Sequence, residues 1–312
     1  MSNHFIRKVS LLSTVMVFTG LVFAIFTFAT NKEETGRAVD SVESRKAVNQ
    51  EVIAPVLPKS ISFAGEETPL EIFYVKEGLD KELLINAYWH SSTIMLLKKA
   101  NRWFPLIEPI LKENNIPDDF KYLALIESGF NTVKSPRGAA GFWQFMEKTG
   151  REYGLEVNEH IDERYNEEKS TQAACQYFLD SYELYQNWTL VAAAYNAGKR
   201  RITQSLEKQK VDNYYELYLN TETSRYVYRI LAMKIIYENT EKYGFVLSDK
   251  DLYQPIPTKD IKVTETIPDL VAFAAEHNIS YKMLKLFNPW LRSSQLPDAS
   301  KRTYYVKIPA FN

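Results

Sequence analysis

The sequence has little of what metal and redox chemistry requires. Its 312 residues include one cysteine and four histidines, with no His-Glu-x-x-His and no Cys-x-x-Cys spacing. One cysteine cannot form an internal disulfide, and a zinc amidase or peptidase would lack its ligands. No Walker or Gly-x-Gly-x-x-Gly pattern occurs among the 11 glycines, so nucleotide chemistry has no candidate loop. We therefore expect neither a metal nor a cofactor.

The sequence also has no large excess of positive or negative charge. The net charge is −1 and the isoelectric point is near 6.5, whereas nucleic-acid-binding proteins usually carry a basic patch. We therefore expect no nucleic-acid partner. Cys175 lies in a helical pattern of alanines and aromatics, where a cysteine is expected to be a small buried hydrophobe and not a nucleophile.

One long hydrophobic run is present, at residues 9–29, directly after Arg7 and Lys8. A span of about 20 apolar residues crosses a bilayer, whereas the apolar core of a signal peptide is usually about 7–15 residues long. The run predicts a retained membrane anchor, although Thr27-Phe28-Ala29 would also serve as a signal cleavage site. Either way, we expect the remaining chain to be exported to the periplasm or cell envelope. No cysteine follows the run, so lipidation there is not expected.

Composition divides the rest of the chain into a main helical region between two linkers, followed by a small terminal unit. The first 30 residues hold the anchor or signal peptide. The expected divisions are a flexible linker at 31–64, a helical segment packing on the next region at 65–112, an almost all-α region at 113–246, a second linker at 247–260 and a terminal unit at 261–312.

Glu127 is the most informative residue of the all-α region. Pro117, Asp118 and Asp119 predict a helix start, and Gly129 predicts its end in the left-handed conformation. The carboxyl group then lies on an apolar face at the negative end of a helix. Both features favour a pKa above about 4.3, as a general acid requires.

Three further segments contain amides, hydroxyls and flat rings, an inventory that suits a neutral, polyhydroxylated ligand. Residues 138–145 place Gln144 among aromatic residues after two glycines. Residues 192–198 form a helix ending in Tyr-Asn-Ala-Gly, and residues 222–227 open a long amphipathic helix expected to run from Glu222 to Lys242, with Gly244 as its stop. Helices are also predicted to start at Asn166 and to span Trp188 to Ala197.

Together and in this order, the segments resemble the catalytic domain of the lytic murein transglycosylases, in the soluble-lytic-transglycosylase and goose-type-lysozyme superfamily. The family's Glu-Ser pair, Gly-Leu-(Met or Trp)-Gln block, Ala-Tyr-Asn-Ala-Gly block and late tyrosine are similar to Glu127-Ser128, Gly141-Phe142-Trp143-Gln144, residues 194–198 and Tyr226. Residues 86–93, together with residues 101–105, resemble the membrane-bound lytic murein transglycosylase D subgroup. Phe142 departs from the usual leucine, and Glu147 stands where relatives often have proline or a small residue.

The resemblance implies a mainly α fold with a goose-lysozyme-like catalytic domain that acts on the glycan strands of peptidoglycan. Glu127 would protonate the β-1,4 bond between N-acetylmuramic acid and N-acetylglucosamine, then accept the proton of the muramyl 6-hydroxyl to give a 1,6-anhydro end. By the same resemblance, the substrate-binding or orienting residues would be Ser128, Gly141, Phe142, Trp143, Gln144, Tyr195, Asn196 and Tyr226. Tyr195 and Tyr226 would orient Glu127, and the protein is expected to be a monomer.

Two alternatives to a lytic transglycosylase remain open at this point, a hydrolase and a non-catalytic protein. A hydrolytic muramidase would need a second carboxylate, for which Glu147 and Glu152 are the candidates, although a solvated surface acid is the simpler interpretation of Glu147. A non-catalytic wall-binding protein would bind peptidoglycan without cleaving it.

The terminal unit shows a β-α-α-β order that resembles a lysin-motif domain. A strand is expected at 261–264, helices at 268–277 and 281–287, and a strand at 304–309. Thr266-Ile267-Pro268-Asp269-Leu270 replaces the family's Gly-Asp-Thr-Leu loop, which helps contact the sugar. Two roles therefore stay open, a glycan-binding module and a docking domain for the catalytic core.

Overall fold

The structure is a computed structural model that describes residues 53–297 and 302–310. The predicted anchor at 9–29 and most of the first predicted linker lie outside the described residues. Within these two ranges, no helix is both long enough and apolar enough to span a membrane. The predicted mainly α fold is confirmed.

A short hairpin and two long helices open the described chain. Strands β1 (Ser62–Phe63) and β2 (Glu66–Glu67) pair antiparallel, and helices α1 (Phe73–Tyr88) and α2 (His90–Glu113) follow. Phe63 is fully buried, with its ring centroid 5.2 Å from that of Phe120. The predicted flexible linker at 31–64 therefore ends inside the packed core, because this phenylalanine anchors the hairpin.

Six helices form the centre of the molecule. They are α3 (Lys121–Ser128), α4 (Glu147–Glu152), α5 (Glu167–Tyr185), α6 (Trp188–Ala197), α7 (Lys199–Gln209) and α8 (Thr221–Glu238). Side-chain oxygens of Asn166, Asn187 and Asn220 accept backbone N–H groups at the starts of α5, α6 and α8. Asparagine is favoured at such caps because it satisfies an N–H group left free at the helix start. The predicted starts at Asn166 and Trp188 are confirmed.

Helix α8 is the buried axis of this region, with contacts to α1, α3 and α6. It ends at Glu238 and not at Lys242 as predicted. Asn239 leaves the helical conformation and its side-chain amide donates to the carbonyl of Ile235 at 3.1 Å. Such local bonds compete with the helical backbone pattern. Gly244, in the left-handed conformation, ends a separate 3₁₀ turn at Glu241–Tyr243.

The C-terminal module comprises strands β3 (Thr258–Val263) and β4 (Tyr304–Pro309), which enclose helices α9 (Leu270–Glu276) and α10 (Tyr281–Phe287). The strands pair antiparallel from Thr258 opposite Pro309 to Val263 opposite Tyr304. The predicted β-α-α-β order is confirmed. Strand β3 begins inside the predicted linker at 247–260, and Tyr253 of that stretch packs on α2, where its ring faces the guanidinium of Arg102 at 5.1 Å.

Candidate active site

Glu127 lies in the last turn of α3, where the structure places it half-buried. A 3₁₀ turn at Asp118–Phe120 leads into α3, and Gly129 ends the helix with φ 56° and ψ 32°. The predicted left-handed stop is therefore confirmed. Pro117 precedes the 3₁₀ turn as its cap and does not occupy the first position of α3. The helix presents one carboxyl group at the edge of a buried apolar face.

The Glu127 carboxyl group is held by Tyr226 of α8. The Tyr226 hydroxyl donates to Oε1 of Glu127 at 2.6 Å, and the tyrosine itself is fully buried. Burial raises the pKa of Glu127 above its ordinary value, and this effect outweighs the Tyr226 hydrogen bond and the positive charge of Arg229, which lower it. The predicted direction of the pKa shift is confirmed. Glu127 can therefore hold a proton where an exposed glutamate would have lost it.

Two charged residues near Glu127 were not found from the sequence. Arg229 donates to the Ile126 carbonyl at 3.0 Å and lowers the pKa of Glu127, whereas the negative charge of Glu222 raises it. Glu222 lies four residues before Tyr226 and Arg229 lies three residues after it, so all three share one helical face. That spacing was visible in the sequence, but only the packing of α8 against α3 directs this face towards Glu127.

Residues 138–145 form a tight loop, called here the glutamine loop, in which Ala140 and Phe145 pair through two backbone hydrogen bonds of 3.0 and 3.1 Å. Gly141 adopts φ +77°, and a Cβ atom at this position would lie 1.7 Å from the carbonyl oxygen of Arg164. Only glycine fits there. Gln144 adopts φ 49°, is half-buried, and its Nε2 donates to the Gly141 carbonyl at 2.8 Å.

The aromatic residues of this loop are structural. The Trp143 ring is fully buried and its Nε1 donates to the Thr171 hydroxyl at 2.9 Å, so it has no surface to offer a sugar. Phe142 is also buried, with its ring 4.9 Å from that of Trp103. Trp143 was expected among the substrate-binding or orienting residues, but its ring fills the core behind the loop and is placed to support the loop, not to contact a sugar.

Tyr195 is bonded differently from the prediction. Its hydroxyl donates to the backbone carbonyl of Trp143 at 2.5 Å and not to Glu127. The Glu127 carboxylate still lies close enough for its charge to raise the pKa of Tyr195, after burial, which has the larger effect. Tyr195 thus connects helix α6 to the glutamine loop, and Tyr226 alone of the two tyrosines bonds the Glu127 carboxyl group.

Ser128 and Asn196 also link elements around Glu127. The buried Ser128 hydroxyl donates to the Phe142 carbonyl at 2.9 Å, which connects the end of α3 to the glutamine loop. Oδ1 of Asn196 accepts from the Thr223 hydroxyl at 2.9 Å, which connects the end of α6 to the start of α8. Contacts of Ser128, Gln144 and Asn196 with a substrate stay predictions.

Glu147 and Glu152, the acids considered for hydrolysis, lie on the surface of α4. Both are exposed, and each forms an ion pair within that helix: Glu147 with Arg151 at 2.8 Å and Glu152 with Lys148 at 3.8 Å. Exposed pairs of this kind stabilise a helix slightly. This environment is that of solvated surface acids.

The described part of the chain contains no group of three or more histidine, cysteine, aspartate or glutamate side chains arranged to hold a metal ion. Cys175 is fully buried in α5, as expected, and burial raises the pKa of its thiol to about 12. The thiol therefore remains protonated and unreactive at neutral pH.

Comparison with known families yields two matches along the chain. Residues 105–218 match the family described as "Transglycosylase SLT domain", and residues 259–312 match the "Soluble lytic transglycosylase C-terminal LysM-like domain". The first match contains Glu127, the glutamine loop and the Tyr195-Asn196 pair. The resemblance to lytic transglycosylases that the motifs indicated is confirmed.

Relatives of known name extend the similarity. The chain is 28% identical over 257 residues to the membrane-bound lytic murein transglycosylase D of Escherichia coli K12, a match that covers 80% of this chain and 55% of the relative. The same protein from Escherichia coli O6:H1 matches equally. The chain thus spans about half the length of the curated relatives it matches.

Two solved structures are also similar. The 70 kDa soluble lytic transglycosylase SLT70 of Escherichia coli aligns with a TM-score of 0.41 and 21% identity, over 59% of this chain and 32% of that one. An inactive mutant of the lytic transglycosylase Slt of Pseudomonas aeruginosa aligns with a TM-score of 0.35 and 17% identity, over 59% of this chain and 36% of that one.

Proposed function

We propose, from the premise that the chain carries a transglycosylase SLT domain, that it is a peptidoglycan lytic transglycosylase. It cleaves the β-1,4 bond between N-acetylmuramic acid and N-acetylglucosamine and leaves 1,6-anhydromuramyl ends. The observation that carries the proposal is the half-buried Glu127 carboxyl group, whose pKa burial raises and whose orientation Tyr226 holds through a 2.6 Å hydrogen bond.

The reaction balances with this one carboxyl group. Protonated Glu127 donates its proton to the glycosidic oxygen, and the bond from that oxygen to the muramyl C1 breaks towards an oxocarbenium-like state. Glu127, now ionised, accepts the proton of the muramyl 6-hydroxyl as the hydroxyl oxygen bonds to C1. The glutamate ends protonated, as it began, and no water is consumed.

The surrounding charges suit both halves of this cycle. Burial favours the protonated acid before cleavage, and the Tyr226 hydroxyl and the positive charge of Arg229 stabilise the carboxylate that cleavage creates. Groups that stabilise charge as it develops in the transition state raise the rate. Gln144 and Asn196, both half-buried, supply amide groups for the sugar's N-acetyl and hydroxyl substituents.

Hydrolysis is the second candidate, because Glu222 is an exposed carboxylate within electrostatic reach of Glu127. A muramidase would use such a group to activate water or to form a covalent intermediate. The exposed acids of α4 are less suitable, since each is ion-paired with a basic residue of its own helix. The products separate the two reactions.

The location of the protein follows from the same proposal. Peptidoglycan lies outside the cytoplasmic membrane, so we place the described region in the periplasm or cell envelope. The apolar run at 9–29 serves there as an anchor and the protein acts as a monomer. A curated relative is named membrane-bound, which supports anchoring.

The test is to incubate the full chain, in mild detergent, with purified peptidoglycan and to identify the released fragments by mass spectrometry. We expect 1,6-anhydromuramyl ends from the wild type and from a Glu147→Gln control, and none from Glu127→Gln. Reducing muramic acid ends would establish hydrolysis and direct attention to Glu222. Binding to peptidoglycan without any release would leave a wall-binding protein and refute the proposal.

A further inference from the structure

Residues 160–165, called here the brace, lie between the glutamine loop and the C-terminal module and contact both. The brace contains a short 3₁₀ turn, and its residues Ile161, Asp162, Arg164 and Tyr165 are all buried. The two roles considered for the C-terminal module, glycan binding and docking, did not include a structural role for residues 160–165.

On one side, Arg164 holds the glutamine loop. Its Nη1 donates to the Gly138 carbonyl at 2.9 Å and to the Phe145 carbonyl at 3.1 Å, which are the two ends of the loop. Asp162 accepts from Nε at 2.9 Å and from Nη2 at 2.8 Å, so the guanidinium group is fixed in its plane. The geometry needs the fork of an arginine, because the single ammonium group of lysine cannot make all four bonds in these directions.

The Arg164 backbone supports the loop as well. Its carbonyl oxygen occupies the space beside Gly141 in which a side chain would otherwise lie. Gln144, three residues further on, holds a positive φ of 49° that non-glycine residues rarely adopt. Such a conformation persists only where the surroundings hold it. Arg164 contacts the residues on either side of Gln144, namely Gly141 through its carbonyl oxygen and Phe145 through its guanidinium group.

On the other side, the C-terminal module contacts the brace through backbone hydrogen bonds and side-chain packing. The Asp162 N–H group donates to the Trp290 carbonyl at 2.9 Å, and the Arg292 N–H group donates to the His160 carbonyl at 2.7 Å. The guanidinium of Arg292 lies 4.4 Å from the ring centroid of Tyr165. Ala140 of the glutamine loop, Ile161 and Tyr165 belong to the same buried cluster as the module's own apolar residues. The three parts therefore share one core.

We infer that Arg164 is a positioning residue that sets the place of Gln144, and that the C-terminal module is a fixed support for this part of the site. The inference rests on the proposed function for the role of Gln144 towards the sugar. It gives the module a task that does not require the loop by which lysin-motif domains contact glycan. Loosening the brace weakens substrate binding through Gln144 and leaves the Glu127–Tyr226 pair untouched.

The kinetic test is a double-mutant cycle of Arg164→Lys and Gln144→Ala in the full chain. We expect Arg164→Lys to raise KM for soluble glycan strands roughly tenfold, the cost of losing a buried charged hydrogen bond, with the basic limb of the pH–rate profile unmoved. In the Gln144→Ala background the same change should add little. Full additivity of the two effects, or a KM equal to that of the wild type, would overturn the inference.

A second measurement requires no catalysis. Hydrogen exchange in the full chain should be faster at the Ala140 and Phe145 amides in Arg164→Lys and in Arg292→Ala, which loosens the module side of the brace. The matched control is Arg302→Ala, which breaks a 2.9 Å ion pair from the module to Glu156, a residue outside the brace.

The two measurements distinguish failure of the proposed function from failure of the inference about the brace. An inactive wild type would refute the proposed function, and the exchange rates would still decide whether the brace holds the loop. Unchanged exchange at Ala140 and Phe145 in both brace variants would refute the support by Arg164 and the module, whatever the activity. Equal acceleration in the Arg302→Ala control would also refute it, since general loosening of the module would then explain the effect.

Discussion

The hydroxyl of Tyr226 donates to Oε1 of Glu127 at 2.6 Å across 99 residues of sequence. This bond joins helices α3 and α8 at the point where the proposed reaction takes place. Burial raises the pKa of Glu127, whereas this bond lowers it, because a hydrogen bond to a carboxylate favours its ionised form. The catalytic properties of Glu127 therefore depend on a balance that substitutions can shift in either direction.

Replacing Tyr226 with phenylalanine should move this balance towards the protonated form. Loss of the hydrogen bond raises the pKa of Glu127, so the basic limb of the pH–rate profile should move to higher pH. The maximal rate should fall roughly tenfold to a hundredfold, because the developing carboxylate loses a donor. Tyr228→Phe, on the same helix, is the control and should keep the wild-type profile. A basic limb that moves to lower pH in Tyr226→Phe would contradict the assignment.

Replacing Glu222 with glutamine should have the opposite effect on the pKa. Its negative charge raises the pKa of Glu127, so its removal should move the basic limb to lower pH. Since Glu222 is exposed, salt screens its effect, and the shift should shrink at high ionic strength. Anhydro products should persist in this variant, with Glu216→Gln as the control. Loss of all product in Glu222→Gln would instead indicate a second essential carboxylate.

The two glycines Gly141 and Gly154 provide a matched pair for stability. Both have positive φ, +77° and +84°, but a Cβ at Gly141 would lie 1.7 Å from the Arg164 carbonyl oxygen, whereas nothing lies within 4 Å at Gly154. Gly154→Ala should cost about 1–2 kcal/mol of unfolding free energy, from the backbone conformation alone. Gly141→Ala should cost clearly more, because the backbone must also move. Thermal melts of the two variants test this, and equal losses would contradict it.

Glu167 should make stability depend on pH. Burial raises its pKa to about 7 in the folded protein, well above that of an unfolded glutamate. Its contribution to stability is therefore complete at acid pH and is lost as pH rises towards about 7. Glu167→Gln should melt close to the wild type at pH about 4 and above it at pH about 8. Glu183→Gln, exposed on the same helix, is the control and should show no such trend.

Local sequence was sufficient for many helix boundaries. Asn166 caps helix α5 and Gly129 ends helix α3 as predicted, because each signal acts through bonds within one turn of the chain. The end of α8 was predicted wrongly at Lys242, since Gly244 ends a separate 3₁₀ turn. Asn239 was the better signal, and its side chain returns to the preceding turn.

The candidate site was predictable in part. The motifs named Glu127 and Tyr226, and the Tyr226 hydroxyl bonds the Glu127 carboxyl group. They also named the glutamine loop, which Ser128 joins to the end of α3. The partner of Tyr195 and the burial of Trp143 were not predictable, because an aromatic residue beside a loop can face either the core or the cleft. Glu222 and Arg229 were missed, although their spacing from Tyr226 places them on one helical face.

Several features could be derived from the sequence without the structure, namely the helix-end signals Asn166 and Gly129, the β-α-α-β order of the module and one glutamate at the end of an apolar helix. These depend on contacts within a few residues, which local patterns encode. The tertiary structure alone decided the partners, namely Tyr226 on Glu127, Arg164 on both ends of the glutamine loop and Trp290 on Asp162. Such contacts join residues far apart in the chain, and their geometry arises only when the buried faces pack together.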